Sequence, residues 1–344
     1  MNRRELLKTG IISSFFLFTS RFNVEALQTN EIKILKPKKL LIGDKVGIVA
    51  PATFTPSLEE IDKATQAVEA LGLVPIFGKT FQDKTGWKTK SIGLRVEELM
   101  EMFINPEIKA IFCIRGGYGS IGLIDKLNYD LIAKNPKIFV GFSDITVLLI
   151  SIFQKTGLTT LHSPMLLSSF GESFDLLKKY LFTDEPIGLL KNLQTDDIRN
   201  RNYYTIKPGI ARGNLIGGNL SLITAMIGTK FEIQTSDKIL FLEDVGEEPY
   251  KIDRMLHQLR LANKLDGLKA MVFGLCNDCE AKGNAIWDSS LLDVLYEHFK
   301  DKPYPSFYGL TIGHTNNQIP LPIGLECELN SVEGTIRILE NYCE

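Results

Sequence analysis

Short apolar runs alternate with stretches of helix-spaced apolar residues through the first half of the chain. Lys45 to Ala50 (KVGIVA) is a β-rich run that Pro51 halts. Between Ser57 and Leu71, the residues Ile61, Ala64, Val68 and Leu71 fall on one helical face. Ser57 is placed to cap that helix, and Glu60 three residues on completes a capping box. Val74 to Phe77 is strand-like, Leu94 to Phe103 is helical up to Asn105-Pro106, and Ile108 to Ile114 is a buried strand running into glycines. Lys137 to Gly141 is another such strand, followed at once by an apolar helix from Ile145 to Gln154. Alternation of this kind predicts a parallel sheet with helices on both faces, an α/β domain over about residues 38–165.

The pattern then breaks. Residues 166–206 are polar and irregular and read as a connection to a second domain, 207–344. There, Gly213 to Leu220 is expected to open a helical run. Lys238 to Leu242 (KILFL) and Lys269 to Gly274 are strands, with an amphipathic helix from Lys251 to Leu265 between them. Ile319 to Leu339 predicts a closing hairpin that turns near Asn330-Ser331.

Composition narrows the class of protein. The chain has 344 residues, of which 44% are hydrophobic and 23% charged, enough to bury a sizeable core without disulfide or metal. A net charge of -2 offers no electrostatic footprint for nucleic acid or an anionic membrane. The N-terminus differs in kind: Arg3-Arg4 sits in a basic opening, Gly10 to Thr19 is apolar, and Val24-Glu25-Ala26 offers a cleavage site. This order predicts a signal peptide over residues 1–26, and the paired arginines resemble a twin-arginine signal. Export to the periplasm is therefore expected, with no membrane association once the signal is removed; an uncleaved anchor is the alternative. Five cysteines do not describe a disulfide scaffold. Cys276-Asn-Asp-Cys279 has no second ligand pair for zinc, so its cysteines read as structural thiols, with a bridge after export as the alternative.

Candidate chemistry begins at Gly141-Phe142-Ser143-Asp144, where a strand meets a helix. A serine on such a turn presents its hydroxyl at the carboxyl edge of the sheet, beside the free N–H groups of the helix start. A plain helix cap is the competing reading. Arg115-Gly116-Gly117-Tyr118-Gly119 follows the previous strand, and the N–H of Gly117 or Gly116 together with that of Asp144 could hold an oxyanion. Of four histidines, His257 and His298 lie in amphipathic helices where surface or packing roles suffice. His162, after a strand near the same edge, is placed to line the pocket. His314, in the polar loop Gly313-His314-Thr315, is the best base. Glu243, closing an apolar strand, suits the group that orients the base, with Asp244 as an alternative.

Together these segments resemble the LD-carboxypeptidases of peptidase family S66, which include the microcin-immunity hydrolases. The resemblance rests on Ile114–Gly119 (IRGGYG), Asn135–Thr146 (NPKIFVGFSDIT), Lys155–Leu158, His162-Ser-Pro-Met165, Gly217-Gly-Asn-Leu220, Leu240-Phe-Leu-Glu-Asp244 and Gly313-His-Thr315, in the family's order. It implies a flavodoxin-like parallel-sheet domain, a smaller β-rich C-terminal domain, a Ser143–Glu243–His314 triad, no cofactor or metal, and commonly a homodimer. The implied reaction removes the terminal D-alanine from a murein tetrapeptide through an acyl-enzyme. Beside the resemblance, Arg115 next to the glycine loop is expected to hold the substrate's free carboxylate or to organise that wall, and Gly116 lets the backbone approach the substrate. Ser163 replaces the glycine usual in His-Gly-Pro. A hydrolase of another amide of the peptidyl-nucleotide type, or a binding protein that clamps a ligand without chemistry, are the alternatives.

Overall fold

The computed structural model describes residues 32–53, 57–82, 90–192, 203–282 and 289–344. The expected signal segment, residues 1–26, lies outside them. In chain order, the first half runs β1 (Lys45–Val49), α1 (Leu58–Ala70), β2 (Val74–Phe77), α2 (Ile92–Ile104), β3 (Ile108–Cys113), α3 (Tyr129–Lys134), β4 (Ile138–Gly141), α4 (Thr146–Thr156), β5 (Thr160–His162) and α5 (Ser173–Phe182). The second half runs β6 (Pro186–Leu190), β7 (Tyr204–Lys207), β8 (Ile210–Asn219), α6 (Leu220–Ala225), β9 (Lys238–Val245), α7 (Pro249–Leu261), β10 (Ala270–Asn277), α8 (Leu291–Phe299), β11 (Ser306–Leu310), β12 (Leu321–Ile323), β13 (Glu326–Asn330) and β14 (Thr335–Asn341).

The first sheet has the order β12-β5-β4-β3-β1-β2, parallel except for β12 at its edge. The order 2-1-3-4-5 of its parallel strands is the flavodoxin-like winding, in which ligands bind beyond the carboxyl ends of the strands. Burial explains the apolar runs, since β3 and β4 carry fully buried Ile111, Phe112, Phe139 and Val140. The second sheet has eight strands, β6-β14-β13-β8-β9-β10-β11-β7, with β8 to β11 parallel and the rest antiparallel. α4 is buried over its whole Thr146–Phe153 stretch. Its N-terminus ties the two sheets: the Thr146 hydroxyl accepts the Asn219 N–H at 3.1 Å, and a Cβ on Gly218 would lie 2.6 Å from Thr146 Cγ2.

Three expectations are corrected. Residues 166–206 are not irregular throughout, for they contain α5, β6 and the start of β7. β6 and β7 are short and form the two opposite edges of the second sheet, so their pattern in sequence is weak. Gly213 to Asn219 is not helical but the end of β8, and the helix starts only at Leu220. There Gly217 and Gly218 hold φ near 152° and 142°, which no helix accepts. The closing segment forms the β13–β14 hairpin, but β12 leaves it to pair with β5 in the first sheet.

Buried side chains of α2 fix the loops that follow β1 and β3. Arg95 Nη1 donates to the carbonyls of Pro51 (2.6 Å) and Gly119 (2.9 Å). Glu98, 1% exposed, accepts the N–H of Ala50 and both the N–H and hydroxyl of Thr80. Burial raises its carboxyl pKa against these hydrogen bonds. Replacing Glu98 with alanine strands two buried amide donors and is expected to cost about 2–4 kcal/mol, read as a lower midpoint in urea at unchanged slope.

Candidate active site

The β4–α4 turn is sharp because Ser143 adopts a left-handed conformation, φ 62°. Such a backbone costs a non-glycine residue about 1–2 kcal/mol. It lifts the hydroxyl out of the sheet ahead of a 3₁₀ turn, Ser143–Ile145, that leads into α4. Neighbouring glycines make room for it. A Cβ on Gly141 would lie 2.6 Å from Ile145 Cγ2, and one on Gly116 would lie 3.0 Å from Ser143 Cβ. Gly117 holds φ 121° beside Thr53. Asp144 turns its side chain away from the cleft, accepting the Ser120 N–H at 2.8 Å, and its carbonyl accepts the Ser120 hydroxyl.

The second sheet brings the partners. Glu243 stands near the end of β9, fully buried, in register with Asn219 of β8. His314 sits in the loop after β11. His314 Nε2 lies 2.9 Å from Ser143 Oγ, and its Nδ1 lies 2.8 Å from Glu243 Oε2. Three residues distant in sequence thus form one hydrogen-bonded chain. The loop is held by Asn277, whose amide donates to the His314 carbonyl at 2.6 Å, and by the Phe142 ring, 5.0 Å from the imidazole. Adjacent strand residues face opposite ways. Asp244 therefore points elsewhere, accepting from the N–H and hydroxyl of Ser221, from Asn219 Nδ2 and from the Val245 N–H. Asp244 thus binds the first turn of α6, whose cap is Asn219, and of the two acids it is Glu243 that reaches the imidazole.

Electrostatics follow from this pairing. Burial opposes charge on Glu243, but the hydrogen bond and charge of His314 win and hold its carboxyl below the ordinary value. Burial likewise opposes charge on His314, and Glu243 outweighs it, raising the imidazole above 6.5. Gly313 is the tight point. Its φ is 85°, and a Cβ there would lie 2.2 Å from Glu243 Oε2. Gly313→Ala must displace the carboxylate or the loop, and a shift of that size is expected to lower kcat/KM about 100-fold. Steady-state kinetics on protein with a wild-type circular-dichroism spectrum checks this.

The chain opens onto a cleft of about 740 Å³ at the carboxyl ends of β1, β3, β4 and β5. Arg115, Gly116, Gly117, Ser143 and His314 line it, as the sequence placed them. His162 does not. It is fully buried, with its ring 5.8 Å from Phe142 and 5.2 Å from Phe241, and neither ring nitrogen has a hydrogen-bond partner among the described residues. Being on β5 between β4 and β12, it packs under the site, and burial lowers its pKa to about 4. Sequence reasoning missed Lys63, Met165 and Ser168 in the cleft wall, and Glu60, read only as part of a cap, also lines it. Glu60 and Lys63 share a face of α1 by their spacing and Met165 ends the His162–Met165 motif, so each carries a signal in sequence; Ser168 sits in a loop without one. Cys276 and Cys279, expected as thiols, form a disulfide. The end of β10 turns there and brings their Cα atoms to 5.5 Å, within bridging range.

Comparison with known proteins agrees with both sheets. Residues 46–163 match the LD-carboxypeptidase N-terminal domain, and residues 212–329 match the LD-carboxypeptidase C-terminal domain. A probable murein peptide carboxypeptidase of Bacillus subtilis (strain 168) is 39% identical over 306 residues, covering 87% of this chain and 93% of the relative. The structure of a muramoyltetrapeptide carboxypeptidase from Oxalobacter formigenes superposes with a TM-score of 0.75 at 26% identity, covering 87% of this chain and 100% of the other. The microcin C7 self-immunity protein MccF, solved in complex with aspartyl sulfamoyl adenosine, gives a TM-score of 0.79 at 26% identity, covering 90% and 100%.

Proposed function

This chain belongs to the LD-carboxypeptidase family, and on that premise we propose that it is a serine carboxypeptidase that releases the terminal D-alanine of murein tetrapeptides. The observation that carries the reading is the Ser143–His314–Glu243 chain at 2.9 and 2.8 Å, open to the cleft. Ser143 Oγ attacks the scissile carbonyl as His314 Nε2 takes its proton. The N–H groups of Gly117 and Asp144 hold the oxyanion, the latter lying in the first turn of a helix, where N–H groups lack helical partners. His314, as imidazolium stabilised by Glu243, then protonates the departing amine and the C–N bond breaks. Water activated by the same imidazole hydrolyses the serine ester.

Arg115 supplies the cation that a free terminal carboxylate needs. It is paired with Glu60 at 3.3 Å, with its side chain 49% exposed. An exposed pair of this kind is worth at most about 1 kcal/mol, so a substrate carboxylate can compete for the guanidinium. The test is D-alanine release from L-Ala-γ-D-Glu-meso-diaminopimelate-D-Ala by residues 27–344, with and without EDTA. Release that survives EDTA is expected. A folded protein that leaves the tetrapeptide intact but cleaves a peptidyl-nucleotide amide would move the substrate to the MccF type while keeping the triad.

A further inference from the structure

Where α8 packs against α7, two histidines and an aspartate meet. Asp253 and His257 are four residues apart on α7, so they share one face. α8 packs beside α7 and contributes His298, whose side chain is only 5% exposed. Asp253 Oδ1 lies 2.8 Å from His298 Nε2 and 3.5 Å from His257 Nε2, and one donor atom from each residue falls within 4.8 Å of the other two. The two imidazoles meet edge to face with centroids 4.6 Å apart. A helix-packing role accounts for the Asp253–His298 hydrogen bond alone. The i,i+4 spacing on α7 brings a second imidazole to the same carboxylate oxygen, so three groups able to bind a metal converge.

We propose that Asp253, His257 and His298 form a surface site for a borderline divalent transition metal, of which zinc is the best fit. In tetrahedral coordination with metal–ligand bonds of about 2.0–2.1 Å, neighbouring donor atoms stand roughly 3.3 Å apart. The two carboxylate–imidazole separations, 2.8 and 3.5 Å, bracket that value, and the third pair lies within 4.8 Å, so side-chain rotation has to close the set around an ion. Two imidazoles and one carboxylate suit zinc better than calcium or magnesium, which favour oxygen ligands throughout. Arg260 opposes the site: its guanidinium donates to His257 Nδ1 at 3.4 Å, favouring the tautomer with hydrogen on Nε2. Arg260 is exposed and free to swing away, but the exchange weakens binding.

Isothermal titration of untagged protein with Zn²⁺ tests the proposal. The expected result is one ion per chain in wild type, at least about tenfold weaker binding in His257→Ala and in His298→Gln, and tighter binding in Arg260→Gln. His257 is half exposed, so its alanine variant is expected to keep the wild-type melting temperature without metal. His314→Ala must retain the wild-type affinity, which separates this site from the imidazole and carboxylate of the catalytic cleft. Equal affinity in wild type and His257→Ala, loss of binding in His314→Ala, or no heat from wild type at 100 μM protein would each overturn it.

Discussion

Replacing Ser143 with alanine is expected to reduce D-alanine release on the order of 10⁵–10⁶-fold while leaving the fold and substrate binding in place. The size follows from the arrangement. Ser143 Oγ is the nucleophile in this reading, and the residual rate comes only from the oxyanion donors and binding. Stability should move by less than about 1 kcal/mol, because serine and alanine meet the same φ of 62°. The paired measurement is single-turnover release alongside thermal melting, with intact-mass detection of an acyl-enzyme in wild type. Release within tenfold of wild type in a folded Ser143→Ala protein would remove Ser143 from the reaction.

Glu243→Gln is the second large effect, and it has a direction in pH as well as a size. An amide in place of the carboxylate can present N–H where Oε2 now accepts, which favours the wrong imidazole tautomer; a loss of about 10⁴-fold in kcat is expected. The sign in pH is fixed by His314. Its pKa lies above 6.5 because Glu243 outweighs burial. A base must be neutral, so the wild-type rate rises with pH through that raised value. Without the carboxylate, burial is opposed by the charge of Asp244, the smallest of the raising influences, so the imidazole pKa falls and the acid limb of kcat/KM moves to lower pH in Glu243→Gln. A rate profile whose acid limb stays in place would mean that another group sets it.

Much of the fold was legible because the first domain repeats one strong pattern. Ser57 caps α1 with Glu60 closing the box, as read, and the runs at Ile108 and Lys137 are buried strands. Errors fell where the pattern was short or ambiguous. Gly213 to Asn219 carries too few apolar residues for its period to distinguish a strand from a helix. His162 looked like a pocket residue because it ends a strand at the correct edge, but a strand end does not state which way a side chain points. β12 read as part of a hairpin, since its three residues say nothing about which sheet they join.

Sequence alone determined the family, the α/β winding and the residue types at the site, because each is carried by local motifs: a serine at a strand–helix turn, glycines beside it, an acid ending an apolar run, a histidine in a polar loop. Tertiary structure alone decided that Ser143, Glu243 and His314 meet, since they come from two sheets and their separations in sequence carry no distance. It also decided that Glu243 and not Asp244 faces the imidazole, and that His162 lies beneath the site. It joined Cys276 to Cys279 and set His298 beside Asp253 and His257. Each of these depends on how one element is rotated against another, a consequence of side-chain packing that no single segment encodes.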